Sequence, residues 1–179
     1  MNNTLKKLEN QKIKEVILYI LSQTGCTSYY NLMKIMFCAE RRNLTIWGDP
    51  ITNLEYYARK HGPVPLSVYY KIKQEKKGEP SDLSEILSMV GEFNVKPKRS
   101  PNMDYLSTTD KESLDYAINE LSSMDYKQIE TYLHESVYDR VYATNSKHYT
   151  HTDMAQTSGA SAEKLSLIRE NDNIINALS

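Results

Sequence analysis

Hydrophobic and polar positions along the chain follow mainly a helical period. Apolar residues recur at intervals of three and four through most of the sequence, as expected for helices with one buried face. Ser, Thr and Asp residues precede several of these stretches and favour helix starts there. The stretches predict helices at residues 10–23, 29–47, 66–76, 82–90, 109–124, 126–137, 153–157 and 162–178. Residues 1–9 are polar and are expected to form a loose N-terminal segment.

The stretch at residues 29–47 differs from the others because it is apolar almost all round in its first half. Leu32, Met36 and Phe37 share one face of it. A helix that is apolar on every side lies inside a protein rather than on its surface. The stretch is therefore predicted to be the central core helix, ending where Gly48 begins a turn.

Three short stretches favour strands instead. They contain β-branched and aromatic residues and lie at residues 50–60, 92–98 and 103–107. Gly62-Pro63-Val64-Pro65 breaks the chain before the next helix. The patterns together predict an α+β fold that is mostly α-helical, with a helical core and a small antiparallel β-sheet. With 179 residues and no long linker, residues 1–179 are predicted to form a single domain.

Composition adds an expectation about location. The two cysteines, Cys26 and Cys38, give no disulfide framework, which is typical of a reducing compartment. No apolar run approaches the roughly 18 residues that a membrane span requires. Residues 1–11 lack the apolar core of a signal peptide. We expect a cytoplasmic protein without a membrane association.

The charge is balanced overall but uneven along the chain. The 22 Lys and Arg and 23 Asp and Glu give a net charge of −1, which argues against a general nucleic-acid coat. By segment, the net charge is +2 for residues 1–58, +4 for residues 59–99 and −7 for residues 100–179. Such asymmetry marks a binding face in some proteins and ordinary solvated helix faces in others, and both interpretations stay open.

Tyrosine is the dominant aromatic residue, with 14 Tyr against two Phe and one Trp. Interface cores favour Tyr and Arg, because both combine a large contact area with a directed polar group. The candidate interface residues on two surfaces are Tyr69, Tyr70, Lys73 and Lys77, and then Tyr138, Arg140 and Tyr142. The second surface is favoured, because the stretch is predicted to be irregular and irregular backbone suits insertion into a partner's cleft. If Tyr138 and Tyr142 extend the preceding helix instead, they pack on the domain.

Candidate catalytic and metal-binding groups are few. His148, His151 and Asp153 are close in sequence, but their segment is loop-like and lacks the spacing of a zinc site. No phosphate loop, nucleophile elbow or zinc motif is present. We therefore expect a protein that is not an enzyme and that needs neither a metal nor another cofactor. His61, beside the Gly-Pro-Val-Pro break, is expected to hydrogen-bond backbone groups that the prolines leave unpaired.

A helix-turn-helix is the main alternative interpretation. Residues 12–47 predict two helices joined by a short glycine-containing link, and Glu40-Arg41-Arg42 could contact phosphates. The second helix is apolar where a recognition helix is polar, and its basic groups come late. A DNA-binding transcriptional regulator that controls its own operon stays open as the alternative function, and a hydrolase of unknown type is a third class.

One block of the sequence resembles a known family. Its parts are a helix segment at residues 32–40 (Leu-x-Lys-x-x-Phe-x-Ala-Glu), a Gly-Asp-Pro-Ile-Thr turn at residues 48–52, and residues 56–65, which end in Gly-Pro-Val-Pro. The order and spacing of these parts are similar to those of the Panacea domain, also called the SocA-like family. Residues 159–161 and 168–171 resemble the family's C-terminal helix.

The sequence departs from the family pattern in one region. Members often have a Ser-His step and a later Trp where this chain has Leu133-His134 and then Tyr138 to Tyr142. A surface that must fit one particular partner should depart from a shared scaffold, which is a second reason to favour this region as the interface.

The resemblance implies an antitoxin of a two-gene toxin–antitoxin system. Family members neutralise toxins of unrelated folds, including nucleotide-transferring toxins of the small alarmone synthetase class, and are not known as enzymes. The resemblance thus implies a cognate protein toxin as partner, a hetero-oligomer, occlusion of the toxin's active site, and a role in bacterial or phage defence. Its motif residues are interpreted as structural, namely Trp47, Gly48, Pro50, Tyr57, His61, Gly62, Pro63 and Pro65.

Overall fold

Eight α-helices and two small antiparallel sheets make up residues 3–177, which the computed structural model describes. The helices are α1 (Asn3–Thr24), α2 (Tyr29–Trp47), α3 (Leu66–Lys76), α4 (Thr108–Ser122), α5 (Tyr126–Leu133), α6 (Ser136–Tyr142), α7 (His151–Thr157) and α8 (Ala162–Ala177). The strands are β1 (Thr27–Ser28), β2 (Tyr56–Arg59), β3 (Gly62–Pro65), β4 (Leu87–Val90), β5 (Asn94–Pro97) and β6 (His148–Tyr149). The prediction of a mostly helical α+β fold is confirmed.

α2 is the central helix, as its apolar pattern predicts. Residues 32–41 are all buried, and the helix packs against α4, α7, β3 and α1. Local chemistry sets both of its ends. The Ser28 hydroxyl accepts a hydrogen bond from the Asn31 N–H (3.1 Å), and Gly48 donates its N–H to the Leu44 carbonyl (3.0 Å). Gly48 lies at φ 86°, a left-handed conformation that favours glycine at the end of a helix.

Aromatic packing joins one of the sheets to α2. This sheet has the order β3-β2-β6, and Tyr56 pairs with Tyr149 across two of its strands. The Phe37 ring makes edge-on contacts with both tyrosine rings, at centroid distances of 5.5 Å to Tyr56 and 5.2 Å to Tyr149. Such edge-to-face pairs are a favourable arrangement of aromatic rings. The other sheet has the order β1-β5-β4, and its middle strand contacts α1.

Residues 82–90 and residues 103–107 do not form the helix and the strand predicted for them. Residues 82–90, predicted as a helix, form turns and then β4, which pairs with β5 as a hairpin. Their few apolar residues fit a helical period and a buried strand equally well, and Gly91, at φ 63°, provides the reversal that decides for the strand. Residues 103–107, predicted as a strand, begin with a turn of 3-10 helix at Met103–Tyr105, because the Asn102 side chain caps it by accepting the Asp104 N–H (3.0 Å).

The Gly62–Pro65 segment, predicted as a break in the chain, is strand β3. It lies at the edge of its sheet, where proline is tolerated because no further strand needs the missing N–H. Pro65 also stands at the N-cap position of α3. The predicted single sheet is therefore two sheets, with residues 56–65 in one and residues 94–97 in the other.

α1 is longer than predicted. It begins at Asn3, so the expectation of a loose N-terminal segment is wrong for residues 3–9, and Met1 and Asn2 lie outside the described residues. No Gly or Pro interrupts residues 3–9, and the Glu9 carboxylate accepts a hydrogen bond from the Asn53 amide (2.6 Å). Continuation of the helix therefore satisfies more backbone groups than a loose segment would.

The helix predicted at residues 126–137 is two helices. α5 ends at His134, whose backbone leaves the helical region (φ −95°, ψ 71°). The Glu135 carboxylate then accepts the N–H groups of Val137 (2.8 Å) and Tyr138 (3.0 Å) and starts α6. This new cap makes residues 138–142 helical, so the prediction of an irregular stretch there is wrong.

Buried polar side chains of α2 hold the turn that follows it. The Glu40 carboxylate accepts hydrogen bonds from the Thr52 N–H (3.1 Å) and from the Thr52 hydroxyl (3.2 Å). The Asn43 amide donates to the Asp49 carbonyl (2.8 Å). Burial raises the pKa of Glu40 to about 8, although the two bonds from Thr52 oppose this shift. The carboxyl is therefore mostly protonated at neutral pH.

Glu40→Gln tests this carboxyl. Because folding raises the pKa of Glu40 from 4.5 to about 8, its stabilising contribution is full below about pH 4.5 and is lost progressively as the pH rises to about 8. Between pH 5 and pH 7 the wild-type free energy of unfolding should fall with a slope of up to about 1.4 kcal/mol per pH unit from this group. The Gln variant keeps an acceptor for Thr52 and should lose that slope in urea unfolding. Glu79→Gln, on an exposed loop, is the control, and equal slopes in wild type and Glu40→Gln would contradict the assignment.

Candidate functional site

A cavity of about 640 Å³ opens where six parts of the chain meet. They are the start of α2, the turn between β2 and β3, α3, the turn before β5, the start of α5, and the chain from the end of α6 to β6. Its lining comes from residues 28–30, 33–34, 59–62, 64, 69, 93, 126, 142 and 147. The cavity therefore depends on the complete fold rather than on one local segment.

Six Tyr and Phe side chains line the cavity. These lining residues are Tyr29, Tyr30, Tyr69, Phe93, Tyr126 and Tyr142. The Tyr30 and Tyr126 rings pack with their centroids 4.4 Å apart, and those of Tyr29 and Phe93 lie 6.3 Å apart. The wall is thus apolar with several hydroxyl groups, a combination typical of ligand pockets and of interface cores.

Positive charge surrounds these rings. Arg59, Lys60, Lys147 and Lys34 line the cavity, and none of the four forms an ion pair with a carboxylate within residues 3–177. The Lys147 ammonium lies 4.0 Å from the centroid of the Tyr142 ring, and Arg59 donates to the Tyr70 hydroxyl (3.3 Å). A cleft lined by positive charges concentrates their electric field and therefore attracts anions.

Lys34 forms the floor. Its side chain is fully buried, its ammonium donates a hydrogen bond to the Pro63 carbonyl (2.7 Å), and it lies 4.9 Å from the centroid of the Tyr30 ring. Burial lowers the pKa of Lys34 to about 7. A Cβ at Gly62 would lie 2.9 Å from Lys34 Nζ, so any other residue there would force the lysine ammonium to move.

Two further polar atoms near the floor lack partners. Tyr30 Oη and His134 Nε2 are buried and make no hydrogen bond within the described part of the chain. His134 stacks on Tyr138 with a centroid distance of 3.9 Å, and burial lowers its pKa. A Cβ at Gly62 would also lie 3.7 Å from His134 Nε2. Unsatisfied polar atoms next to a buried lysine are costly and invite a polar ligand or an ordered water.

The structure brings together members of both predicted interface surfaces. Tyr69 from α3 and Tyr142 from the end of α6 line the same cavity. Tyr70 is exposed beside it and contacts Arg59, while the Lys73 ammonium lies 5.4 Å from the centroid of the Tyr69 ring. The last member of the first surface, Lys77, caps α3 and does not line the cavity.

The second predicted surface does not form as a unit. Tyr138 is only 4% exposed, and its hydroxyl donates to the Arg59 carbonyl (2.8 Å). Arg140 forms an ion pair with Asp153 (2.7 Å). Because residues 138–142 are helical, Tyr138 points into the domain and Tyr142 reaches the surface one turn later. The alternative interpretation, in which Tyr138 and Tyr142 are helical and pack on the domain, holds for Tyr138.

The structure places the predicted motif residues in different surroundings. Tyr57 packs edge-on against the His148 ring at 5.1 Å, while Pro50 lies in the turn that Asn43 holds and Trp47 is exposed. His61 differs from its expected role. Its ring is exposed and forms a hydrogen bond with the Glu130 carboxylate (2.8 Å), and the bond to the backbone of β3 comes from Lys34 instead.

The helix-turn-helix interpretation conflicts with the burial of α2. Glu40 and Arg41 lie in the core, so they cannot contact phosphates, and the Arg42 guanidinium is placed 3.8 Å from the centroid of the Tyr116 ring. α2 is therefore unable to enter a DNA groove as a recognition helix. Within residues 3–177 no cluster of three His, Cys, Asp or Glu could hold a metal ion. The same residues include no helix that is long and apolar enough to cross a membrane.

The sequence patterns missed several of the residues that line the cavity. Lys34 stands in an otherwise apolar stretch, and this lone cation in a buried helix is the signal that could have found it. Tyr126, Arg59, Lys60 and Lys147 carry no local signal, because they converge only through the tertiary fold.

A family model decides the relationship to known proteins. The model for "Antitoxin SocA-like, Panacea domain" matches residues 32–139, more than half of the chain. The chain belongs to the SocA-like Panacea antitoxin family. The matched part of the Panacea domain contains Lys34, Gly62 and Tyr126, whereas Tyr142 and Lys147 follow it. Curated proteins and solved structures gave no match.

Gly62→Ala tests the approach of the β2–β3 turn to Lys34. Gly78→Ala is the matched control, since Gly78 also has a left-handed backbone (φ 77° against 92°) but open space around it. The control should cost about 1–2 kcal/mol of unfolding free energy for the backbone alone. Gly62→Ala should cost clearly more in urea unfolding, and Lys34→Ala in the same chain should remove most of the excess. Equal costs at both glycines would contradict the close contact.

Proposed function

We propose that this protein neutralises a cognate protein toxin by binding it directly and stoichiometrically, without catalysis. Family membership supports the antitoxin role. The observation that supports direct binding is the cavity itself, a concave surface of aromatic rings and unpaired cations on an otherwise helical domain. The complex is a hetero-oligomer, and we place it in the cytoplasm as part of a defence system.

The contact surface that we propose is the cavity mouth, with Tyr69 and Tyr142 as its anchors. Both rings reach the surface from rigid helices, and such aromatic anchors supply most of the binding energy in many interfaces. Arg59, Lys60 and Lys147 beside them favour an acidic segment of the toxin. Because exposed charges steer association, the association rate should fall as salt increases.

Occlusion of the toxin's active site is the proposed route of neutralisation. A toxin that handles nucleotides, such as one of the small alarmone synthetase class, presents an active site that binds anionic phosphates. Because a site that binds phosphates attracts anions and repels cations, the exposed Arg59 and Lys60 side chains of the β2–β3 turn would contact an acidic segment at its rim. An antitoxin inserted there would block substrate binding while leaving the toxin chemically unchanged.

Titration of the toxin with this protein distinguishes binding from catalysis. The toxin for the experiment is the product of the gene adjacent to this chain's own gene. Its remaining activity should fall linearly with added antitoxin and reach its minimum at a fixed molar ratio, and light scattering after size exclusion should give a complex of that ratio. Inactivation by much less than one equivalent, increasing with time, would instead indicate an enzyme.

Single alanine substitutions locate the contact surface. Tyr69→Ala and Tyr142→Ala should each weaken toxin binding by about 2 kcal/mol or more, measured by calorimetry, with the fold intact by circular dichroism. Tyr116→Ala is the control, because Tyr116 is 39% exposed and Tyr142 is 37% exposed, but Tyr116 lies outside the cavity. Unchanged affinity in both cavity variants would contradict this placement.

A further inference from the structure

The cavity has the size of a small-molecule site. Ligand pockets typically enclose roughly 300–1,000 Å³, and this cavity encloses about 640 Å³. One inserted side chain would fill only a fraction of that volume. The space therefore suits a ligand of several linked groups, such as a ring with a charged tail.

The wall favours a planar ring. Tyr30 and Tyr126 form a tilted pair at 4.4 Å, and Tyr142 stands at the mouth with the Lys147 ammonium 4.0 Å from its ring centroid. Nucleobases stack on such aromatic side chains, and the contact tolerates different bases because each base has a π-face. An aliphatic ligand would gain no comparable benefit from this geometry.

The rim favours a polyanionic tail. Arg59, Lys60 and Lys147 are free of carboxylate partners within residues 3–177. Among the described residues, the cavity lining contains no acidic side chain, and Glu130, outside the lining, is engaged with the lining residue His61 at 2.8 Å. Arginine and lysine are the residues that bind phosphate in proteins, Arg through a planar fork and Lys as a point charge. Several unpaired cations beside one cavity are more than a single carboxylate requires.

The floor offers polar contacts for the edge of a base. Lys34 uses one of its donors, for the Pro63 carbonyl, and the hydroxyl of Tyr30 has no partner in the described chain. A base edge carries both acceptors and donors, so it can satisfy a lysine amine and a hydroxyl together. An apolar ring would leave these atoms unsatisfied.

We propose that this cavity binds a nucleoside polyphosphate, with its base against Tyr30 and Tyr126 and its phosphates toward Arg59, Lys60 and Lys147. The site acts in the free protein and requires no toxin. It therefore goes beyond the proposed neutralisation, and either can fail without the other.

Calorimetry on the full chain alone tests the proposal. The probes are ATP and GTP, with adenosine, guanosine and inorganic tripolyphosphate as separate arms. ATP or GTP should bind at least about tenfold more tightly than the matching nucleoside and than tripolyphosphate, because only the nucleotide uses both the rings and the cations. Tyr126→Ala should weaken nucleotide binding and leave tripolyphosphate binding unchanged.

A charge-matched pair of variants isolates the rim. Lys60→Gln with Lys147→Gln should weaken nucleotide binding by about tenfold or more. Lys6→Gln with Lys7→Gln removes the same charge from exposed positions on α1 and should change the affinity by less than about twofold. Thermal melting followed by circular dichroism verifies that each variant folds. No binding of either nucleotide at millimolar concentration, tripolyphosphate binding as tight as nucleotide binding, or equal losses in the two double variants would overturn the proposal.

Discussion

The burial of two ionisable side chains on one helix is the constraint on which the rest of the structure depends. Lys34 and Glu40 are residues of α2 whose side chains are buried in the protein. Burying such groups is costly unless each finds a hydrogen-bond partner. Each partner comes from a different later segment, the Pro63 carbonyl for Lys34 and Thr52 for Glu40. The helix therefore positions the turn that follows it and the β2–β3 hairpin, and the hairpin in turn closes the floor of the cavity.

These hydrogen bonds give the residues of the family motif a physical role. Its Lys and Glu bind the two later motif segments, and its Phe37 packs against Tyr56 and Tyr149. The spacing within the motif thus reflects which loop each turn of α2 must hold. By contrast, Tyr30 precedes the family match and Tyr142 and Lys147 follow it, so the matched part supplies Lys34 of the floor and residues outside the match complete the cavity.

Most of the helical elements could be predicted from sequence, because caps and apolar periods are local properties. The end of α2 at Gly48 was predicted in this way, whereas the short apolar run before Gly91 was predicted wrongly, since four residues do not distinguish a helical period from a strand period. The cavity could be predicted only in part. Tyr69 and Tyr142 were singled out on separate surfaces, and their meeting, like the burial of Tyr138, follows from how α3 and α6 pack rather than from any local pattern.

The cavity has a consequence for how the protein is made. Its walls come from residues as distant as Ser28 and Lys147, and β6 must pair with β2 before the last of them is in place. Contacts between such distant residues form late, because the chain between them must first be closed. During synthesis, the helical N-terminal part of the chain thus emerges from the ribosome before the binding cavity can form. A newly made chain becomes competent to bind only after most of its length has been translated.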